Sequence, residues 1–362
     1  MFFMMAQWCD RPRNCYEGLN WPRSTPDPVE IKTVRSCYYS DNRGKTKGKW
    51  PHLFSENLLL TMPRANLEIA IVGDVHHQWS MTDNQALEAL GVDLVLFVGD
   101  FGNEAVEVVR CISRLQLPYA AVLGNHDAWY TASTWGRKKS PYDHRFEDRV
   151  QQQLDLLGPA HVGYGVRNFA DLGLSVVGGR PCSWGGPKWL NEQFYAQRYG
   201  VHSLAESGDR LCTAVDQATE PSLIFLAHNG PLGLGDQPES SCGKDWNPLG
   251  GDFGDPDLTA AIAHGRRQGK AIPIVTFGHM HHRLRHRRDR LRDIINTAGK
   301  TLYLNAAQVP RIIETRGETQ HSFSLVTLTA GQVVQARLVW VNPGGAIATE
   351  QPLYSTAQNA KL

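Results

Sequence analysis

The chain has 362 residues, 37 Lys and Arg against 36 Asp and Glu, and 41% hydrophobic residues, enough for one large domain or two with a sizeable core. A net charge of +1 argues neither for nor against a polyanionic partner, and the longest apolar stretches fall far short of the roughly 20 residues a membrane helix needs. Seven cysteines without a CxxC pair suit a reducing compartment better than a disulfide framework, so a cytoplasmic protein with no membrane partner is expected.

The chain opens with a segment unlike the rest. Residues 1–61 hold Trp8, Trp21 and Trp50, five prolines, a KTKGK run and three of the cysteines, with no sustained period, so no helix or strand that could bury a face is expected there. Three readings compete: a disordered tail, a targeting segment, or upstream sequence included by an early start. The opening MFFMMA is too short for a signal-peptide hydrophobic region, and the scattered acids Asp10, Glu17, Asp27, Glu30, Asp41 and Glu56 speak against a transit peptide. Folding, and translation with it, is expected to start near Met62. The expected division is an extension over 1–61, a folded domain over 62–345 with insertions at 128–143 and 229–255, and a flexible tail over 346–362.

From 66 onward strands and helices alternate. A strand over 67–73 leads to a helix near 82–90, and a strand over 94–98 to a helix near 103–115. A strand over 118–123 leads to a loop, 128–143, long enough to suggest a role of its own. A helix near 144–157, a strand near 173–178 and the turn-rich GGRPCSWGGP (178–187) follow, then helices near 188–199 and 203–217. Strand 222–227 precedes a Gly-, Pro- and Asp-rich insertion, 229–255, a helix near 256–268 and strand 272–277. The part from 301 to 341 alternates apolar and polar residues in short runs and reads as antiparallel strands. Parallel strands first and antiparallel strands last suggest an α/β fold of two packed sheets with helices outside.

Five polar motifs stand at the ends of strand-like runs: Asp74-Val75-His76, Gly99-Asp100, Gly124-Asn125-His126-Asp127, Ala227-His228 and Gly278-His279-Met280-His281. Strands that deliver Asp, Asn and His at their carboxyl ends converge on the edge where α/β sheets bind ligands. Seven such donors suffice for two metal ions about 3.5–4 Å apart that share one carboxylate. Carboxylate, carboxamide and imidazole suit Mn, Fe, Zn, Ni or Co rather than soft Cu(I), and the lack of cysteine argues against a structural zinc site. Residues i and i+2 of extended backbone project to one side, so Asp74 with His76, and His279 with His281, can each aim two donors at one centre. Singly, each motif has an ordinary reading as a cap, a turn or a satisfied histidine. Together, in this order, they imply two-metal hydrolysis.

This order of motifs resembles the calcineurin-like metallophosphoesterases over about 62–310. The resemblance implies a four-layer α/β/β/α sandwich of two mixed sheets flanked by helices. It also implies one divalent metal held by Asp74, His76, Asp100 and His281 and a second by Asp100, Asn125, His228 and His279, with Asp100 bridging. His126 is similar to the family's histidine that protonates the leaving alkoxide or binds the phosphate. In the protein phosphatases of this superfamily a carboxylate three residues after the bridging Asp orients that histidine; here Asn103 stands there, and a neutral amide supports an imidazolium less. No Asp-Arg-Gly continues Gly99-Asp100, and Asp127 rather than Glu follows the Gly-Asn-His. The chain is therefore more similar to the bacterial-type phosphodiesterase and phosphomonoesterase branch.

Substrate contacts are less legible. Arg180 is a candidate phosphate clamp, since arginine forks match phosphate oxygens, or else a surface loop residue; Asn103 is the second candidate near the substrate. His77 and His282 read as outer partners of the ligands or as solvent-facing. Trp129, Tyr130, Trp184 and Trp246 could stack a ring or pack their own loops. The run 281–292, with six arginines between 283 and 292, is a basic rim for a polyanion or, more commonly, a solvated face balanced by Asp289 and Asp293. The leading expectation is a metal-dependent phosphoesterase for a small phosphate monoester or diester, with the two insertions as walls. A nuclease or nucleotide phosphodiesterase using the basic rim, and a non-catalytic metal-binding scaffold, are the alternatives; seven retained ligands count against the scaffold.

Overall fold

The run NLEIAIV forms β1 (Asn66–Val72), whose alternation sets the architecture: Ile69 and Ile71 point one way, Ala70 and Val72 the other, and all four are buried. A strand buried on both faces requires cover on both. The computed structural model describes residues 66–315 and 317–359, and the expectations for 1–61 lie outside them.

After β1 come α1 (Met81–Leu90), β2 (Leu94–Phe97), α2 (Val106–Ile112), β3 (Tyr119–Ala121), α3 (Thr134–Lys139), α4 (Arg149–Leu157), β4 (Val166–Phe169) and β5 (Leu174–Gly178). The chain continues through α5 (Glu192–Tyr199), α6 (Leu204–Asp216), β6 (Ser222–Leu226), α7 (Pro256–Arg267), β7 (Ala271–Phe277), β8 (Ile295–Ala298) and β9 (Thr301–Asn305). It ends with β10 (Ile312–Thr315), β11 (Glu318–Thr329), β12 (Gln332–Val341), β13 (Ile347–Ser355) and α8 (Thr356–Asn359). One sheet runs β13-β12-β11-β1-β2-β3, with β10 on β11, and the other β4-β5-β6-β7-β9-β8. Parallel pairs β1–β2, β2–β3, β5–β6, β6–β7 and β7–β9 sit beside antiparallel neighbours, so both sheets are mixed.

Between the sheets lies one apolar layer, with Ile69, Ile71, Leu94 and Leu96 from the first sheet and Val176, Ile224, Leu226 and Ile274 from the second. The alternate residues Val72, Val95 and Phe97, and Val177, Phe225 and Val275, face outward onto Leu87, Val109 and Ile112 and onto Leu211, Ala214 and Ile262 of the helices. The result is two mixed sheets flanked by helices. Capping is local: Ser80 starts α1 by accepting from Thr82 N while Asp83 reaches back to Ser80 N, and Gly91 ends it in the left-handed region.

Three expectations need correction. The run TLYLN does not join an antiparallel tail; as β9 it pairs parallel with β7 in the second sheet, because Leu302 and Leu304 continue that sheet's inner face. The segment 346–362 is not a flexible tail throughout: β13 pairs antiparallel with β12 along 347–355. It reads as polar in sequence because it is an edge strand, exposed over most of its length, with only Leu353 and Tyr354 against the inner layer. The loop 128–143 contains α3, capped by Ser133.

Candidate metal centre

The motif residues follow β1, β2, β3, β6 and β7, strands that run parallel within each sheet, so all five motifs emerge at one edge. Their backbone is bent hard there. His76 (φ 44°), Asp100 (φ 54°) and His279 (φ 66°) are non-glycine residues in the left-handed region, a conformation that costs about 1–3 kcal/mol and persists only where its surroundings fix it. Two glycines show why side chains are excluded: a Cβ on Gly124 would lie 2.3 Å from Asp100 Oδ1, and one on Gly278 2.2 Å from Asp74 Oδ1.

The donors form two clusters that share Asp100. In the first, His281 Nε2 lies 3.1 Å from His76 Nε2 and 3.1 Å from Asp74 Oδ2. Asp100 Oδ2 closes this side, 3.8 Å from His76 Nε2. In the second, Asn125 Oδ1 lies 2.9 Å from both His228 Nε2 and His279 Nδ1, and Asp100 Oδ1 is 3.3 Å from His228 Nε2. Donor atoms of Asp74, His76 and His281, and of Asp100, His228 and His279, each fall within 4.8 Å of one another. The structure thus brings together all seven residues named as candidate ligands.

The cradle fits cations. Asp74 Oδ2 is buried without a hydrogen bond even though His281 Nε2 is near it, and an unpartnered buried carboxylate oxygen is costly unless a cation faces it. Burial opposes ionisation of Asp74 and Asp100, but the facing imidazoles outweigh it and hold both carboxyls below their usual range. Burial, with His228 beside it, pushes His279 down to about 3, so its ring is neutral and able to ligate. The Nδ1–H of His228 points at the Val98 carbonyl at 2.9 Å, which leaves Nε2 as the free lone pair. Asp74, Asp100, Asn125 and His228 are buried, whereas the side chains of His76, His126 and His281 are 22%, 28% and 36% exposed. Those three rings therefore form the open side.

His126 sits on that side under three restraints. Its Nδ1 meets Asn103 Oδ1 at 2.5 Å, its ring stacks on Trp129 with centroids 4.4 Å apart and planes 10° apart, and its Nε2 lies 4.0 Å from Asp100 Oδ2. A carbonyl acceptor at Nδ1 places the proton there and leaves Nε2 facing the centre. Burial lowers the pKa of this imidazole.

Sequence reasoning missed how the site is braced. The buried carboxylate of Asp127 accepts from the backbone N–H of Asp100, Phe101 and Gly124, at 2.9, 2.8 and 2.7 Å, and so ties two motif loops together. Its place after Asn125-His126 was the available signal. Glu104, buried and at φ 52°, accepts from the backbone of Tyr130 and Thr131 and from the Tyr142 hydroxyl, which fastens the insertion 128–143 beside Asn103. Nothing in the sequence marked it.

Other expectations change. Arg180 is neither a phosphate clamp nor a surface residue: it is 3% exposed and pairs with Asp255 at 2.8 Å and Asp257 at 3.3 Å. Trp129 cannot take a substrate ring between itself and the site, since Trp184 stacks on it as well, 5.3 Å away. His77 accepts from Asn103 N at 3.1 Å, and His282 is buried with Asn305 O at 2.9 Å. Of the six arginines between 283 and 292, Arg287 pairs with Glu239 and Asp289, Arg290 with Asp293, and Arg292 with Asp245 and the carbonyls of Ser240 and Gly243. Half of the basic run is thus committed within the chain. Among the described residues no helix is long and apolar enough to cross a membrane.

The family model for calcineurin-like phosphoesterases matches residues 67–283. No curated protein matches the chain. Similar solved structures include a protein of Thermus thermophilus, 14% identical, covering 73% of this chain and 98% of its own, with a TM-score of 0.41. A predicted phosphoesterase of Streptococcus pneumoniae is 13% identical over 80% and 98% of the two chains, with a TM-score of 0.30. An archaeal phosphodiesterase is 12% identical over 76% and 100%, with a TM-score of 0.33. Likenesses at this level bear on no substrate.

Proposed function

The chain belongs to the calcineurin-like phosphoesterase family of metal-dependent phosphoester hydrolases, and from that premise we propose that it hydrolyses a small phosphate monoester or phosphodiester at two divalent metal ions. The observation that carries the reading is the double face of Asp100, whose Oδ1 addresses His228 while Oδ2 addresses His76. Asp74, His76, Asp100 and His281 would hold one ion and Asp100, Asn125, His228 and His279 the other, drawn from Mn, Fe, Zn, Ni or Co. Bound there, such a pair would activate water as the nucleophile and neutralise charge on the phosphoryl oxygens.

The remaining work falls to the chain's own groups. Asn103 and Trp129 fix the plane of His126 with Nε2 toward the centre; with a second proton taken up from water at Nε2, the imidazolium would bind a phosphoryl oxygen or hand that proton to the leaving oxygen, Nδ1–H staying on Asn103. Asp127 holds the Asp100 and Asn125 loops in register. The insertions 128–143 and 229–255 favour a small substrate over a folded protein. The missing Asp-Arg-Gly after Asp100 favours the phosphodiesterase and phosphomonoesterase branch. The nuclease reading loses support because Arg287, Arg290 and Arg292 already have acidic partners.

The test is turnover of a generic monoester and a generic diester by the Mn²⁺-loaded protein, beside Asp100→Asn and His279→Ala. Turnover of either ester that both substitutions abolish is expected. No turnover of either ester would instead favour a non-catalytic scaffold, and a metal-binding one where the ions are retained.

A further inference from the structure

The large exposed apolar side chains of the described residues are not spread evenly. Of Met81, Trp135, Phe146, Leu190, Leu249, Leu291 and Ile347, the middle five lie in the loops that follow β3, β5, β6 and β7. β3, β6 and β7 carry motif residues at those ends and β5 runs parallel beside β6, so these segments leave from the metal centre's edge of the sheets. Three of them lie in segments that the fold brings together. Trp135 is 53% exposed, Phe146 86% and Leu190 43%; Ala132, Ser133, Thr134 and Arg137, which flank Trp135, share one cleft with Asn191, Glu192 and Gln193, which follow Leu190, and Asp148, two residues after Phe146, accepts from Arg198 of α5 at 2.6 Å.

The charge there is one-sided. Lys138, Lys139 and Lys188 are exposed and have no acidic partner among the described residues. The nearby acids are already paired: Asp143 with Arg145, Glu147 with Arg149, and Asp148 with Arg198; Glu192 is the exception. Trp135 meets Trp129 edge-on at 5.8 Å, and Trp129 stacks on His126. Two ring contacts therefore connect the protruding indole to the reacting edge.

Exposed Trp, Phe and Leu gain nothing from water. A single-stranded nucleic acid would use the lysines and could stack bases on Trp135 or Phe146, but it has no place for Leu190. An anionic bilayer surface uses both kinds of residue: aromatic and aliphatic side chains enter the headgroup region, and Lys and Arg pair with lipid phosphates. We propose that the loops 128–149 and 187–191 dock this edge on an anionic lipid surface, through Trp135, Phe146 and Leu190 with Lys138, Lys139 and Lys188. The phosphoester brought to the site is then one carried by a lipid. The absence of a membrane-length apolar run does not oppose this, because the contact is peripheral. The docking stands apart from the hydrolase reading, and the substrate class rests on it.

Flotation of the full chain with vesicles of phosphatidylcholine alone, and of phosphatidylcholine mixed with phosphatidylglycerol, tests the proposal in the Asp100→Asn variant as well, so that loss of hydrolysis does not affect the result. Binding only to the anionic vesicles is expected. The double variant Lys138→Ala/Lys139→Ala should weaken it about 30-fold, from roughly 1 kcal/mol per basic residue at the surface. Leu190→Ser should weaken it roughly tenfold or more. Failure to bind anionic vesicles at low salt, or binding unchanged by Leu190→Ser, overturns it. Tighter binding to single-stranded polynucleotide than to the vesicles, lost with the two lysines, overturns it in favour of nucleic acid.

Discussion

Asn103 Oδ1 lies 2.5 Å from Nδ1 of His126, so a carboxamide orients the ring without adding charge. Removing it frees the imidazole to turn while Trp129 still covers one face. Asn103→Ala is expected to lower kcat about 10- to 100-fold, the usual cost of losing such an orienting partner, with KM little changed. Asn103→Asp should retain more activity than the alanine variant. Steady-state kinetics on the better ester checks this; an alanine variant with wild-type kcat would show that Asn103 does not orient His126.

Trp129 lies between His126 and Trp184, 4.4 and 5.3 Å from them. Trp129→Ala opens a gap against the ring, and a displacement near 1 Å at a reacting group can cost about 100-fold in rate. A fall in kcat of that order is expected, with metal content unchanged. Trp184→Ala, one ring further out, should do less.

The carboxylate of Asp127 accepts three backbone N–H groups in a buried position. In Asp127→Asn an amide NH₂ must face one of those donors, and an unsatisfied buried pair costs about 1–3 kcal/mol. Thermal unfolding should show a fall in Tm of several degrees, and activity should fall as well, since the Asp100 and Asn125 loops lose their tie. Unchanged stability would contradict the role given to Asp127.

A second buried network sets an acid limit on stability. Asp83 Oδ1 meets Arg311 Nη1 at 2.6 Å and His321 Nδ1 at 2.7 Å. Burial alone would raise the Asp83 pKa, but Arg311 and His321 outweigh it and hold it below the ordinary 3.8. A depressed folded-state pKa contributes stability that is present above about 4 and lost as pH falls through the folded value. Asp83→Asn should therefore cost about 3–5 kcal/mol near neutral pH, as for one partner of a buried ion pair. Denaturant unfolding at descending pH should show that difference shrinking below pH ~4. A difference that stays constant with pH would contradict the linkage.

Much of the site was legible because each ligand follows a strand whose hydrophobic run is visible by itself, and strand ends meet at an edge whatever the loops between them do. The unbroken apolar run of β1 is likewise visible as a strand, and Ile69 and Ile71 on one face with Ala70 and Val72 on the other are covered on both sides. Arg180 was misread because its partners Asp255 and Asp257 are some 75 residues away, and only folding brings them together. For Trp129 the sequence left open whether it stacks a ring or packs its own loop, because sequence does not show that both its faces are taken. The edge strand β13 escaped notice because exposed strands carry polar residues and lose the alternation that marks buried ones.

The central claim, one carboxylate serving two cations, is tested most directly by counting metal. Elemental analysis of the Mn²⁺-loaded protein after removal of free ion should give two ions per chain for the wild type. His281→Ala and His279→Ala should each retain one, and Asp100→Asn should retain fewer than two. A wild type that binds a single ion at full activity, or an Asp100→Asn variant that keeps both, would contradict the account.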